Sequence, residues 1–239
     1  MASEHIVSAF DQELNELKNK VSEMGGLAEA QLANALEAMQ RRDTDLAART
    51  VESDRRVDEM EREIDAFVVQ LLALRQPMAT DLREIIVALK IASDLERIAD
   101  YATNVAKRTI TLAQHPQVRP AHAIPRMVRL ALSMINEVLD SYSDRDTRKA
   151  IAVWRRDEEL DEMYVSLFRE LLTYMMEDAR RISSCTHLLF IAKNIERVGD
   201  HATNIAESIY YLVEGRPLLQ SRPKGGDEEY DQVEAPTGE

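Results

Sequence analysis

A stretch of fifteen residues occurs twice in this chain, and the repeat limits what the chain can fold into: residues 93–107 read SDLERIADYATNVAK and residues 193–207 read KNIERVGDHATNIAE. Glu96, Arg97, Asp100, Ala102, Thr103, Asn104 and Ala106 return in register as Glu196, Arg197, Asp200, Ala202, Thr203, Asn204 and Ala206. On a helix, Glu96, Asp100 and Asn104 follow one another at i, i+4 and i+8, an oxygen-rich row repeated by Glu196, Asp200 and Asn204. Leu95, Ile98, Ala99, Ala102, Val105 and Ala106 fill the other side of the wheel as a core-facing stripe. Two carboxylates one turn apart repel each other unless a cation lies between them, so the row is a candidate metal site.

The rest of the composition fits helices. Of 239 residues 45% are hydrophobic but only 5% aromatic, and Gly and Pro number seven each, which disfavours sheets and points to an all-α chain. A net charge of -13 argues against binding a nucleic-acid backbone or an anionic membrane surface. The single cysteine, Cys185, lies in an apolar run, which excludes an internal disulfide and a thiolate zinc site. With no signal-like start and no apolar run of spanning length, a cytoplasmic location is expected.

Apolar residues spaced by three and four predict a first helix from Phe10 to about Met39, with Gly25-Gly26 in its middle suiting a close helix crossing. Asp43 is the expected N-cap of a second helix carrying Val57, Met60, Ile64 and Leu71. Pro77 ends it, and Thr80 is the expected cap of a third helix reaching about Ala113. Residues 114–125, with Pro116, Pro120 and Pro125, read as a connector, Pro125 suiting the first turn of helix four. Asp144-Arg145-Asp146-Thr147 then repeats the Asp43 turn, and Asp161-Glu162-Met163 repeats Asp58-Glu59-Met60 at a shift of 103, whereas the motif shifts by 100. The turn between helices two and three is therefore about three residues longer than its counterpart near Asp178. Six helices as two pseudo-symmetric antiparallel three-helix bundles, residues 1–116 and 117–214, account for this pattern. Residues 215–239, rich in Pro, Gly and acid, are expected to form a disordered tail.

Folding helix two back on helix three about Pro77 sets Asp58 level with Glu96 and Asp54 level with Asp100. About Asp178 the same reasoning brings Asp161 to Glu196 and Asp157 to Asp200. Four carboxylates and an amide oxygen from Asn104 or Asn204 make a hard, oxygen-only environment suited to magnesium, calcium, manganese or iron. His201, standing where the first copy has Tyr101, could add a nitrogen to the second site. The bland alternative is a solvated polar face in which Arg97 and Arg197 pair with Asp58 or Asp161 across the helices. An enzyme has less support: no histidine has Glu three residues before it, no glycine-rich phosphate loop occurs, and Ser or Cys does not concentrate with His.

RQPMATDLREIIVALKIASDLERIADYATNVAKR and LLTYMMEDARRISSCTHLLFIAKNIERVGDHATNIAESIYYLVEG together resemble the two signature regions of the PhoU family of bacterial phosphate-signalling regulators, over roughly residues 5–214. The resemblance implies a cytoplasmic, often dimeric, protein of two three-helix bundles that represses the phosphate-starvation response. In the family this is done with a phosphate ABC transporter, through its ATPase, and a membrane sensor histidine kinase. It also implies divalent or ferric ions, zinc among the candidates, at E(D)xxxD motifs corresponding here to Glu96 with Asp100 and Glu196 with Asp200. Ala99 stands where that motif usually has glycine, as Gly199 still does, and Ala179 replaces a frequent proline. Two functions follow: a regulatory adaptor without catalysis of its own, or a metal-dependent catalyst acting on phosphate compounds through the carboxylate cluster.

Overall fold

The computed structural model describes residues 2–219. Six helices account for almost all of them: α1 (Ala2–Arg41), α2 (Thr44–Arg75), α3 (Ala79–Leu112), α4 (Ile124–Asp144), α5 (Thr147–Glu177) and α6 (Ile182–Glu214). Single 3-10 turns at Arg119–His122 and Ala179–Arg181 complete the set, and there is no strand among the described residues. Most of the expected tail, 220–239, lies outside the described residues, but Leu218 is partly buried against the core.

The two α-α turns at the start of each half are copies down to the backbone. Arg42 and Arg145 both take left-handed φ, 53° and 54°. The next N–H in each case reaches back to close the preceding helix, Asp43 to Ala38 and Asp146 to Ser141. Asp43 Oδ1 then accepts from the N–H of Asp45 and of Leu46, and Asp146 Oδ1 from that of Arg148, which satisfies donors at the new helix start. Thr80 does not cap α3. That helix already begins at Ala79 with no side-chain cap, and the Met78 carbonyl takes the Asp81 N–H instead.

Helices α1, α2 and α3 pack on one another, as do α4, α5 and α6, so each half is an antiparallel three-helix bundle. The halves join through α3 on α6 and α1 on α4. Along the first pair, Arg83 meets the Leu212 carbonyl, Asp94 meets His201, and the Arg108 guanidinium lies 4.1 Å over the Phe190 ring. Rising numbers on one helix match falling numbers on the other, so α3 and α6 run antiparallel. Tyr101 and His201, equivalent positions of the two copies, face each other with ring centroids 5.6 Å apart, which puts the pseudo-two-fold axis at the waist of the molecule. The predicted stripe is the core: Leu95, Ile98, Ala102 and Val105 are buried, as are Ile195, Val198, Ala202 and Ile205. At the α1–α4 crossing a Cβ on Gly25 would stand 2.5 Å from Leu139 Cδ2, whereas one on Gly26 would meet nothing within 4 Å. Gly25 therefore permits the approach of the halves.

The connector between the halves is tied down by one side chain. Arg42 Nη2 donates to the carbonyls of Leu112, Ala113 and His115 at 3.2, 2.7 and 2.7 Å, which satisfies acceptors left over at the C-terminus of α3. Pro125 sits in the first turn of α4, where its missing N–H costs nothing. Among the described residues no helix is long and apolar enough to cross a membrane.

Candidate functional site

The carboxylates gather where α2 meets α3 and where α5 meets α6. In the first half Glu96 has lost most of its water, its side chain being 19% exposed. Burial, then the Asp100 charge, push its carboxyl up to about 7; Arg97 offsets part of this while Glu61 and Asp58 add to it. Asp100 is raised as well, by burial and then by Asp54, with Asp58 contributing and Arg97 and Lys107 opposing. Asp54 and Asp58 thus stand close enough to act on the α3 row, as the level matching across the hairpin requires. Asp54 is further fixed by Gln31 of α1, whose Nε2 donates to Asp54 Oδ1 at 2.9 Å, to Thr103 Oγ1 at 2.5 Å and to the Ala99 carbonyl at 3.2 Å. Gln31 is itself buried, so its amide is committed to this network.

Glu61 belongs to this group although level matching to the motif alone does not reach it. It sits one turn past Asp58 on the same side of α2, and burial followed by Asp65, Asp58 and Asp100 raises its carboxyl. The three-residue step from Asp58 was the signal that could have found it.

In the second half Asp157 is buried and accepts from the Thr203 hydroxyl, which also donates to the Gly199 carbonyl. Glu196 is 12% exposed at its side chain and is raised by burial, with Asp200 and Asp157 adding to the effect and Lys193 opposing it. Its Oε1 accepts from Lys193 Nζ at 2.6 Å, while its Oε2 is buried and takes no hydrogen bond. Asp161 is half-buried on the same stretch of α5. Gly199 is needed here, because a Cβ at that position would come 2.5 Å from Leu160 Cδ2 and 3.4 Å from Asp157 Oδ1.

Other expected members are turned elsewhere. Residues four apart on an α-helix are offset by about 40°, so a run of i, i+4, i+8 winds about 80° around the helix. That rotation takes Asn204 to the α3 side, where its Nδ2 donates to Asp94 Oδ1 at 3.3 Å. His201 likewise pairs through Nδ1 with Asp94 Oδ1 at 2.7 Å, and so serves the joint between the halves rather than the second acidic row. Asn104 is half-buried at the equivalent place on α3. Arg97 lies against its own helix, 3.6 Å from Glu96 and 3.4 Å from Asp100, and Arg197 donates to the Tyr101 hydroxyl at 3.2 Å.

As placed, the side chains stand apart: among the described residues no three of His, Cys, Asp or Glu converge on a point that could hold a metal ion. The donor set nevertheless fits a hard cation. It is all oxygen, it includes an orphaned buried carboxylate oxygen at Glu196, and its members raise one another's pKa, a penalty that a bound cation would reverse.

Comparison with known proteins covers nearly the whole chain. A family model described as the PhoU domain matches twice, at residues 21–109 and 124–209. A phosphate-specific transport system accessory protein PhoU homolog of Rhizobium meliloti is 51% identical over 225 residues, 94% of this chain and 95% of the relative. The phosphate-specific transport system accessory protein PhoU of Escherichia coli K12 is 38% identical over 226 residues, 95% of this chain and 92% of its own length. The crystal structure of PhoU from Pseudomonas aeruginosa superposes with a TM-score of 0.84 at 40% identity, covering 87% of this chain and 100% of that one. A phosphate transport system regulatory protein PhoU from Streptococcus pneumoniae gives 0.83 at 30% identity, covering 88% and 100%.

Proposed function

The chain belongs to the PhoU family, and from that premise we propose that it is a cytoplasmic negative regulator of the phosphate-starvation response. It acts as an adaptor between the ATPase of a phosphate ABC transporter and a sensor histidine kinase, works by contact without catalysis of its own, assembles as a homodimer and reaches the membrane only through its partners. The observation that carries this reading is the near-full-length relationship, through both halves, to accessory proteins of the phosphate-specific transport system. A regulator of this kind biases its target only if it binds one state of the transporter and kinase assembly more tightly than the other.

The metal reading belongs to the same proposal. Glu96 and Asp100 with Asp54 and Asp58, and Glu196 and Asp200 with Asp157 and Asp161, would hold divalent or ferric ions, and the amide oxygens of Asn104 and Asn204 would join them only if those side chains turn toward the acidic rows. Such an ion would neutralise the crowded carboxylates and draw α2 to α3 and α5 to α6.

Deletion tests the assignment. Expression of a phosphate-starvation reporter should rise in high phosphate when the gene is removed and fall again when it is restored. Low expression in the deletion strain would defeat the regulatory reading. Capture of the transporter ATPase and the kinase on the purified chain should accompany repression. Chelator-sensitive hydrolysis of a phosphate ester by the same preparation would favour a catalyst instead.

A further inference from the structure

The two carboxylate rows are copies in backbone but not in charge. Under the shifts that relate the halves, positions 61, 65 and 93 correspond to 164, 168 and 193: the first half has Glu61, Asp65 and Ser93 where the second has Tyr164, Phe168 and Lys193. The hairpin geometry sets position 61 level with 93 and position 164 level with 193. The second pair is seen in contact, with Lys193 Nζ 5.1 Å from the Tyr164 ring centroid and 2.6 Å from Glu196 Oε1. Tyr164 in turn packs against Phe168, centroids 6.4 Å apart. Lys193 is therefore held between a ring face and a nearly buried carboxylate, both of which favour a cation. In the first half the corresponding space carries acids, and the cation beside Glu96 is Arg97, whose side chain is 56% exposed.

We infer that Lys193 is a built-in counter-cation of the second row, so that the two rows take metal unequally: the first readily, the second only by displacing the Lys193 ammonium from Glu196. This rests on the metal reading proposed above and adds to it an order of loading set by one residue. The displaced contact is a charge-assisted hydrogen bond to a nearly buried carboxylate, and its loss should weaken metal binding at the second row by about tenfold or more. The tyrosine and phenylalanine, standing where the first half has two carboxylates, lower the row's negative charge and act in the same direction.

The test uses the full-length chain freed of metal by chelator and titrated calorimetrically with Mn2+ alone, circular dichroism confirming that each variant is folded. Wild type should show two classes of site of unequal affinity, the tighter one lost in Asp100→Asn. Lys193→Ser, which installs the first half's residue, and Lys193→Met, which keeps the packing without the charge, should each tighten the weaker class by about tenfold and leave the tighter one unchanged. Ser93→Lys should weaken the tighter class, and it carries the test if the Lys193 variants do not fold. Two classes of equal affinity in wild type, or folded Lys193 variants with the wild-type isotherm, overturn the inference while leaving the metal reading intact. No Mn2+ binding by wild type or any variant defeats both.

Discussion

Gly199→Ala is the sharpest test of how α5 seats against α6. The new Cβ would lie 2.5 Å from Leu160 Cδ2, closer than side-chain carbons approach, and Leu160 is fully buried with little room to turn. Overpacking a tight core costs about 1–3 kcal/mol, from which the better helix propensity of alanine subtracts about 1 kcal/mol. The single variant should be less stable by up to about 2 kcal/mol, or up to roughly 8 °C in Tm for a chain of this size. The first half holds the remedy, because the equivalent positions carry Ala99 and Val57, both buried: one carbon more on one helix and one fewer on the other. Leu160→Val alone should cost about 1 kcal/mol through the space it opens. The double variant, which reproduces the first half's pair, should come back to within about 0.5 kcal/mol of wild type, a coupling of about 1–3 kcal/mol. Urea unfolding of the four proteins measures it. Additivity within about 0.5 kcal/mol, or a stabilised Gly199→Ala, would refute the argument.

At the α1–α4 crossing, Gly25→Ala should destabilise against Leu139, whereas its neighbour Gly26→Ala should stabilise by about 1 kcal/mol, since only the helix propensity changes there; equal effects in thermal melts would contradict the crossing. Gln31→Met copies the residue at the equivalent position of the second half, Met134, and leaves Asp54 and Thr103 without their donor, so unfolding stability should fall by about 1–3 kcal/mol. The folded pKa of Glu96 is about 7, above the ordinary 4.5, so its proton favours the folded state. That contribution is full below about pH 4.5 and is lost as pH rises through about 7, where Glu96→Gln should exceed chelated wild type by about 1–3 kcal/mol. A stability difference between the two that stays flat from about pH 5 to 8 would rule out the raised carboxyl.

Much of this architecture was legible because its signals are local or follow from straight helices. The Asp43 and Asp146 caps depend on two or three residues each, and the level matching needs only that a hairpin folds back on itself, which the Tyr164–Lys193 contact displays. What escaped depends on rotation about the helix and on the third partner. Asn204 and His201 wind off the acidic row toward Asp94, which lies in the other half and at no fixed spacing from them. Gln31 reaches Asp54 and Thr103 from a helix whose apolar stripe does not announce it. Thr80 had the chemistry of a cap, but the backbone after Pro77 started the helix two residues earlier, with Met78 in the cap position.

The three carbonyls gathered by Arg42 bear on the kinetics of assembly. Each half offers its fellow, through α3 and α6, a face that a half from another chain could equally receive. Which pairing wins depends on effective concentration, which is of millimolar order for short tethers and falls as the tether lengthens or wanders. By pinning the connector where it leaves α3, Arg42 shortens the free tether and holds the second half near its own first half. Closure of the molecule is then a unimolecular step whose rate does not depend on how much protein surrounds it, and exchange of halves between copies is left at a kinetic disadvantage.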